Sequence, residues 1–386
     1  MKRILLVSQS QDATFVEILY AALSKIGYSL NVITGKPIEV DPNVTLFLAP
    51  KYNSNSILSR LKTWRAYTKA VKRFLKKNID DYEGIFFTSN PPINQELVQF
   101  ALKKKKKIMY LIWDIYPDYI EKSFGKLVSP VTSIWRKKNQ KLYNQCDAVI
   151  TIGDTMKSKI QGKNPKLNVR VIPYHANSEV IKPICKKNNK FAVMHGLDDK
   201  MVFMYSGKMG FGHGFDEILT AAKDLQSIDA IRFVFIGHGE GFESIRAYIL
   251  ENNLSNCLLL PYQPLDMLPF SLATADVSFI TIKEKIDGLF LPSKVYDAMA
   301  SGSAIVCISA GNNDVALLIE KEKLGANVLV NNVEELKRVI FKFVNDTQYL
   351  KECQKNARES AVCHYAMERV VDQYRNLFED VFRGEI

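Results

Sequence analysis

Two segments of the sequence place a lysine beside glycine or proline just after a predicted strand. The first, SGKMGFGHG over residues 206–214, follows the apolar run MVFMY, and the second, GLFLPSK over residues 288–294, precedes a short predicted helix. Glycine lets the backbone approach a ligand closely and turn its N–H groups toward it, and lysine adds a full positive charge. Both segments therefore have the composition of an anion site.

In the first segment the candidate donors of positive charge are Lys208 and His213, with Gly207 and Gly210 giving the backbone close access to a phosphate. The pattern is not the phosphate loop of ATPases, because G-x-x-x-x-G-K-[ST] is absent. The next predicted strand ends in a similar turn at Gly237, which joins the candidate site. A surface lysine and a loop histidine without a ligand remain the alternative interpretation.

In the second segment Pro292 ends a loop and Ser293 is a candidate N-cap for a helix that stops at Gly302. The positive end of that helix, together with Lys294, would attract an anion. Asp297 lies in the same helix. An ordinary loop, helix and strand of an α/β protein fits the same pattern, so this segment alone does not decide.

The elements that hold these segments alternate between buried strands and amphipathic helices. Residues 2–8 predict a strand, about 14–26 a helix and 30–34 a second strand, and the alternation restarts at 201–205. This order predicts doubly wound parallel sheets with ligands at the carboxyl ends of the strands. The first turn lacks G-x-G-x-x-G, which argues against a dehydrogenase.

The length of 386 residues with 47% hydrophobic content predicts two domains. We place an acceptor-side α/β domain at 1–177 and a donor-binding α/β domain at 201–365. The Lys- and Asn-rich segment 178–200 has no apolar period and is predicted to be a linker. The closing segment 366–386 carries a helical apolar stripe that needs a partner surface, and we expect it to return to the first domain.

The net charge of +11, from 52 basic and 41 acidic residues, favours anionic partners such as nucleotide phosphates, nucleic acid or an acidic membrane. The six cysteines show no CxxC or clustered spacing, which predicts reduced thiols in a cytoplasmic protein and no zinc site. The apolar run at the N-terminus is too short for a signal peptide. No run approaches 18 apolar residues, so no membrane span is expected.

Residues 57–77 predict a strongly basic amphipathic helix with Trp64 on its apolar face. Such a helix can lie at the surface of an anionic membrane, which would make the protein peripheral at the inner face of the cell membrane. Alternatively, its apolar stripe packs on the first sheet while the lysines stay solvated. The run Lys103 to Lys107 either ends a helix in solvent or extends the same basic face.

Asp114 follows the predicted strand 108–113, at the edge where parallel sheets hold ligands, and Pro117 prevents the strand from continuing. Its carboxylate could orient or deprotonate an acceptor hydroxyl. A turn or helix-capping aspartate fits equally well. Asp118 is the weaker candidate, because it lies where a helix is expected to start.

Seven motifs, in both halves and in this order, give the chain a family resemblance. They are TSNPP (88–92), LIWDIYPD (111–118), IPYHANSEVIKP (172–183), YSGKMGFGHG (205–214), IGHGEG (236–241), PYQPLDMLPFSLATADVSFI (261–280) and LPSKVYDAMASGSAIV (291–306). The chain resembles the family 4 glycosyltransferases of the GT-B fold, and its first half resembles the bacterial subgroup that builds lipid-linked surface polysaccharides. The resemblance implies two facing doubly wound domains and a nucleotide-sugar donor.

The resemblance also implies roles for individual residues. Lys208 stands where relatives grip the donor pyrophosphate, and His213 where a second basic residue usually lies. Asp297 occupies the second acidic position of the E-x7-E element, which commonly bonds the nucleotide ribose, whereas the first acidic position falls on Leu289. Asp114 matches an acidic or histidine position near the acceptor. We therefore take Asp114 and Lys208 as the candidate catalytic residues.

The implied reaction moves a hexosyl or N-acetylhexosaminyl group from a nucleoside diphosphate sugar, expected to be a UDP-sugar, to a hydroxyl of a lipid-linked or polysaccharide acceptor. Family mechanism implies retention at the anomeric carbon. The sequence has no D-x-D pair, so we expect no metal and no other cofactor. We expect Lys208, Lys294 and helix N-termini to stabilise the departing diphosphate instead.

Three alternatives remain open at this point. A non-catalytic GT-B partner subunit is favoured by the missing acid at Leu289. A sugar-nucleotide epimerase would bind the donor without moving its sugar to an acceptor. A nucleic-acid-binding protein fits the charge, but the sequence contains no recognised binding motif and its basic residues are spread over amphipathic helices, so we expect no nucleic-acid partner.

Overall fold

The computed structural model describes residues 2–10, 12–53, 56–125, 128–162, 164–210 and 212–383. The chain divides into two compact units. The first contains Met1–Pro173 together with Glu368–Ile386, and the second contains Tyr174–Met367. Each unit is built on one parallel sheet.

Within the described residues, the sheet of the first unit has seven strands in the order β3-β2-β1-β4-β5-β6-β7. The strands are β1 (Lys2–Val7), β2 (Tyr28–Thr34), β3 (Thr45–Leu48), β4 (Gly84–Thr88), β5 (Lys107–Ile112), β6 (Ala148–Thr151) and β7 (Val169–Val171). All neighbouring pairs are parallel. The central strands β1 and β4 are buried apolar runs, as helices on both faces require. Strand β3 was not predicted from the sequence.

Helices connect these strands. They are α1 (Ala13–Ser24), α2 (Ile57–Asn78), α3 (Gln95–Lys103), α4 (Asp118–Phe124), α5 (Ser129–Tyr143) and α6 (Asp154–Gln161). The Asp12 side chain caps α1 by accepting a hydrogen bond from the Phe15 N–H at 2.8 Å. Ser56 and Ser59 form a reciprocal capping box at the start of α2. The predicted helices over 14–26 and 57–77 are therefore present, with local capping that fixes where they begin.

Helix α2 packs its apolar face on the first sheet, so the packing interpretation of this helix is confirmed for that face. Tyr67, Val71 and Leu75 are fully buried, and the Tyr67 hydroxyl donates to the Ile33 carbonyl at 2.8 Å. Trp64 is only 7% exposed, and its ring is stacked on Tyr52 with centroids 6.3 Å apart. Trp64 is thus a core residue and not a side chain available to a membrane.

In the described part of the second unit, six parallel strands lie in the order β10-β9-β8-β11-β12-β13. They are β8 (Met201–Lys208), β9 (Ile231–His238), β10 (Cys257–Leu260), β11 (Val277–Thr281), β12 (Ala304–Ser309) and β13 (Gly325–Leu329). The helices are α7 (Lys190–Met194), α8 (Asp216–Asp224), α9 (Glu240–Glu251), α10 (Leu268–Leu272), α11 (Lys294–Ala300), α12 (Asp314–Glu322), α13 (Val333–Asn345) and α14 (Thr347–Cys363). The alternation predicted from residue 201 onward is present.

The segment 178–200, predicted to be a linker, is folded into the second unit. Asn189 caps α7, and Phe191 of that helix is buried in a cluster with Val202 and Met204 of β8. Lys186 forms an ion pair with Asp276. The segment lacks a regular apolar period, yet Ile181, Phe191 and Leu197 are buried, so irregular contacts hold it in the unit.

The last described helix, α15 (Met367–Arg383), completes the core of the first unit. Tyr374 and Phe378 are buried and each packs on Phe86 of β4, with ring centroids 6.1 Å apart. The apolar stripe in 366–386 thus has the partner surface it was predicted to need. Residues 384–386 of that range lie outside the described residues.

The six cysteines are all free thiols, of which Cys307 and Cys353 are buried. Burial raises the pKa of the Cys307 thiol to about 12, as expected for an unreactive core residue. Among the described helices, none has both the length and the apolar character that crossing a bilayer requires.

Candidate functional site

A cavity of about 420 Å³ in the second unit brings the two lysine segments together. It lies at the carboxyl ends of β8 and β11, where parallel sheets hold their ligands. Most of the predicted donor-binding residues line it: Gly207, Lys208, His213, Pro292, Ser293, Lys294 and Asp297. The remainder of its wall is mainly apolar and includes Tyr262, Leu268, Leu272, Phe290 and Leu291.

Tyr205 joins the two lysine segments. The Lys294 ammonium donates to the Tyr205 hydroxyl at 2.5 Å and lies 3.9 Å from the centroid of its ring. The same hydroxyl donates to the backbone carbonyl of Lys208 at 2.7 Å. Tyr205 is fully buried, so both contacts are held rigidly against the sheet. The position of Lys294 is therefore fixed by a residue of the opposite segment.

Gly207 and Gly237 are explained by close packing behind this lysine. Gly207 has φ of +136°, and a Cβ built on it would lie 3.0 Å from the Lys294 Nζ. Gly237 stands opposite Gly207 in the sheet register, and a Cβ there would lie 1.9 Å from the Gly207 carbonyl oxygen. Gly237 is not among the described residues that line the cavity. Its glycine serves strand packing, which in turn makes room for Lys294.

The charge of Lys294 is weakened by its surroundings. Burial lowers the pKa of its ammonium to about 7, because the apolar environment disfavours the charged form. In neutral solution the side chain is therefore divided between its charged and neutral forms. A bound anion would favour the ammonium form and raise that pKa again.

His213 is a neutral residue in this protein, whereas the sequence suggested a cationic donor. Burial, together with the nearby charges of Lys294, Lys208 and Lys283, lowers its pKa to about 3. Its Nδ1 lies 2.8 Å from the Thr281 carbonyl oxygen, so Nδ1 carries the proton and donates it. His213 can thus shape the cavity, but its own positive charge would have to arise with a bound anion.

Asp297 supplies a carboxylate one turn into α11. Burial raises its pKa to about 6, while a hydrogen bond from the backbone of Asn177 favours the ionised form. Above that pH the side chain is an acceptor of hydrogen bonds, as recognition of sugar hydroxyls requires. Among the described residues that line the cavity, Asp297 is the one carboxylate.

The start of α11 differs from the expectation for Ser293. This residue occupies the N-cap position, but it has helical φ and ψ of −60° and −23°, and its side chain makes no capping hydrogen bond. The N–H groups of Val295 and Tyr296 donate to the carbonyls of Pro292 and Ser293 at 3.3 and 3.0 Å. The helix has only seven residues. Two N–H groups at this helix start are therefore already engaged within the chain.

Two further predicted positions lie elsewhere. Gly210 lines an adjoining cavity of about 410 Å³, together with Glu240 and Gly241, and His213 lines both cavities. Leu289 is only 7% exposed, and it does not belong to the described lining of the Lys208 cavity. The first acidic position that the resemblance implies is thus an apolar core position in this chain.

Tyr205 and Tyr262 are site residues that sequence reasoning missed. Tyr205 ends an otherwise apolar strand, and a buried phenol normally has a hydrogen-bond partner, which was the available signal. Tyr262 is 54% exposed and contributes an aromatic ring to the cavity wall. It lies in an irregular segment after β10, where no periodic pattern marks it.

Asp114 lies in the first unit, just beyond the carboxyl end of β5. Burial raises the pKa of its carboxyl group to about 6, a value suited to proton transfer near neutral pH. Asp118 instead forms an ion pair with Arg136 at 3.0 Å, which gives it a structural role at the start of α4. In the described ranges, no group of three or more His, Cys, Asp or Glu side chains is placed to hold a metal ion.

The chain is similar in sequence to known glycosyl transferases. Residues 187–360 match the family model of glycosyl transferases group 1. A probable glycosyltransferase of Pseudomonas aeruginosa, WbjE, is 26% identical over 314 residues, which cover 79% of this chain and 77% of WbjE. WcaI of Escherichia coli strain K12, a putative colanic acid biosynthesis glycosyl transferase, is 27% identical over 32% of this chain and 30% of WcaI.

The fold has solved counterparts. The structure of Anabaena HepE in complex with UDP and glucose superimposes with a TM-score of 0.73 at 16% identity, over 98% of this chain and all of HepE. At that identity the likeness shows the fold, which is GT-B. The family match covers the unit whose cavity holds Lys208, Lys294 and Asp297. The chain is therefore an enzyme that transfers sugars, with the GT-B fold, and its residues 187–360 match the family model of glycosyl transferases group 1.

Proposed function

We propose that the protein transfers a glycosyl group from a nucleoside diphosphate sugar, a UDP-sugar, to a hydroxyl of a lipid-linked or polysaccharide acceptor. The observation that carries the proposal is one cavity in which Lys208, Lys294 and Asp297 face an apolar and aromatic wall. HepE, which has the same fold, binds UDP, and the name of WcaI refers to colanic acid biosynthesis. Both facts support the donor and acceptor classes proposed.

The two lysines are assigned to the diphosphate. Breaking the bond between sugar and phosphate builds negative charge on the departing diphosphate, so fixed cations stabilise the transition state more than the ground state. Lys208 and Lys294 carry their amines into the same cavity and require no metal ion to do so. We propose a metal-independent transfer with retention at the anomeric carbon, the latter on the strength of the family resemblance.

The rest of the cavity is assigned to the nucleoside. A base has two apolar faces, and the wall that includes Tyr262, Leu268 and Phe290 offers aromatic and aliphatic contacts of the kind that hold such rings. The ionised Asp297 carboxylate accepts hydrogen bonds from the ribose hydroxyls. Its raised pKa places this recognition above about pH 6.

We expect replacement of either lysine to impair transfer while the protein stays folded. Lys208→Ala and Lys294→Met should each lower kcat/KM by about one to two decades, because each removes one charged hydrogen bond worth about 1.5–3 kcal/mol. Lys294→Met retains the apolar stem in its half-buried position. The measurement is product formation from labelled donor, with thermal unfolding as the control for folding.

The same assay separates the alternatives. An epimerase would change the labelled sugar without attaching it to an acceptor, and a non-catalytic subunit would bind nucleotide and form no product. Wild-type turnover in Lys294→Met would remove Lys294 from the diphosphate site.

We expect the affinity for UDP to depend on pH through Lys294. The free side chain has a pKa of about 7, and bound diphosphate raises it, so affinity should fall by up to about tenfold per unit as pH rises above about 7. Above that pH the phosphates of UDP are already ionised, so their own titration does not contribute to the slope. Calorimetric titration of UDP at several pH values measures the slope. Lys294→Arg, which stays charged, should flatten it, and an unchanged slope in that variant would contradict the assignment.

Asp114 is proposed to act on the acceptor hydroxyl, orienting it or accepting its proton. Asp114→Asn keeps the size of the side chain but removes the base, so transfer should fall by about two to four decades while UDP affinity stays at the wild-type value. The two quantities are measured separately, by product assay and by calorimetry. Unchanged transfer in Asp114→Asn would end this assignment.

We further propose that the first unit contacts an anionic membrane surface through α2. The buried Trp64 does not take part, but Leu58 and Leu61 on the first turns of α2 are 79% and 37% exposed. They stand among basic residues of the same helix, including Lys62 and Arg65. Exposed leucines beside cations are the combination that peripheral helices use at anionic interfaces.

The membrane contact predicts salt-sensitive sedimentation with vesicles that contain phosphatidylglycerol. Leu58→Ser combined with Leu61→Ser should reduce the bound fraction several-fold, because insertion of both side chains is lost. Leu250→Ser combined with Leu265→Ser is the matched control, since both of these leucines are exposed on the second unit. Absence of wild-type binding at low salt would refute the contact.

A further inference from the structure

A second positively charged cavity lies in the first unit, between α2 and the beginning of α3. Its volume is about 500 Å³. Five cationic side chains of α2 line it: Arg65, Lys69, Lys72, Arg73 and Lys76. Their spacing of four, three, one and three residues places them along one face of the helix. The cavity is therefore walled on one side by a continuous stripe of positive charge.

Most of this charge is uncompensated. Glu96 bonds to Lys72 and is the one carboxylate among the described residues that line the cavity. No carboxylate in the described part of the chain forms an ion pair with Arg65, Lys69, Arg73 or Lys76. Like charges three and four residues apart destabilise a helix. A bound anion would relieve this repulsion.

Thr68 adds a polar group that is built into the wall. It lies on the same helix face between Arg65 and Lys69, and it is only 9% exposed. Its hydroxyl has no hydrogen-bond partner among the residues that the structure describes. A buried hydroxyl is normally paired, because leaving it unpaired is unfavourable. Less than 1 Å² of its oxygen is accessible in this rotamer, and rotation about the Cα–Cβ bond to the second rotamer that threonine populates in helices would turn the hydroxyl toward an anion in the cavity.

The arrangement suits a phosphate better than a single carboxylate. The cations extend over twelve residues of helix, about 16 Å from end to end, so they can address several oxygens at once. Arg65 and Arg73 offer paired N–H donors in the geometry that phosphate oxygens accept, and the lysines add compact charges. Several charged donors around one neutral hydroxyl donor match a group with multiple oxygens and more than one negative charge.

We propose that this cavity binds a phosphate or diphosphate group, with Arg65, Lys69, Arg73 and Lys76 pairing with its oxygens and the Thr68 hydroxyl donating to one of them. The site goes beyond the proposed glycosyl transfer and uses residues of the first unit alone. Its group can come from the headgroup of a membrane lipid or from a soluble phosphate compound. Both sources share the chemistry that the cavity recognises.

The test uses inorganic pyrophosphate as the probe and the full chain carrying Lys208→Ala and Lys294→Met, so that the donor cavity does not compete. We expect calorimetry at fixed ionic strength to show binding at one site. Thr68→Val should weaken it about fivefold without changing the charge, and Lys69→Gln combined with Arg73→Gln should weaken it more than about tenfold. Lys103→Gln combined with Lys104→Gln, exposed residues at the end of α3, is the charge-matched control and should leave the affinity unchanged.

Thermal unfolding accompanies each variant. Thr68→Val should be at least as stable as its parent, because it replaces an unpaired buried hydroxyl by a methyl group of similar size. Absence of pyrophosphate binding would overturn the proposal. The proposal would also be overturned if the two double variants weakened binding equally and Thr68→Val had no effect. That result would indicate diffuse electrostatic attraction to the protein surface.

Vesicles identify the source of the phosphate. Sedimentation is measured with phosphatidylcholine vesicles that contain or lack phosphatidylglycerol, in the chain with an intact donor cavity. If Thr68→Val weakens both pyrophosphate and vesicle binding, the site takes a lipid headgroup. If it weakens pyrophosphate binding alone, the site takes a soluble phosphate compound.

Discussion

The cavity that is lined by Lys208 and Lys294 depends on one buried phenol. The Tyr205 hydroxyl accepts from the Lys294 ammonium and donates to the Lys208 carbonyl, so a single oxygen sets the positions of both segments. The two facing glycines, Gly207 and Gly237, leave the space that this arrangement occupies. The burial that holds Lys294 in place also lowers its pKa to about 7. The side chain is therefore firmly positioned but only partly charged near neutral pH.

Much of this organisation was predictable from the sequence. Apolar periodicity predicted the alternating strands and helices, and lysines after strand ends predicted residues that the fold brings to one cavity. Tyr205 was not predicted as a site residue, because its role depends on which loop lies opposite the strand. The neutral state of His213 was not predictable either, since it follows from burial between Tyr205 and Phe290 and from three neighbouring lysines.

Basic helix α2 shows why charge patterns need structure. In the sequence, its tryptophan and lysines fit a membrane helix, yet Trp64 is buried in the structure. The exposed surface at the start of the helix also differs from the surface further along it. Leu58 and Leu61 expose apolar side chains to solvent on the first turns. The stripe from Arg65 to Lys76 instead lines one wall of a cavity, beside the buried Thr68 hydroxyl. A periodic pattern gives the face on which a residue lies, but the neighbouring helix decides whether that face is open.

The return of α15 to the first unit has a consequence for synthesis on the ribosome. Tyr374 and Phe378 cover Phe86 of the central strand β4, yet they are made only after the whole second unit. A nascent chain therefore carries an uncovered apolar patch through roughly half of its translation. Until that helix is made, chaperones and proteases can act on the exposed patch, and the first unit completes its core only after the second unit has been synthesised.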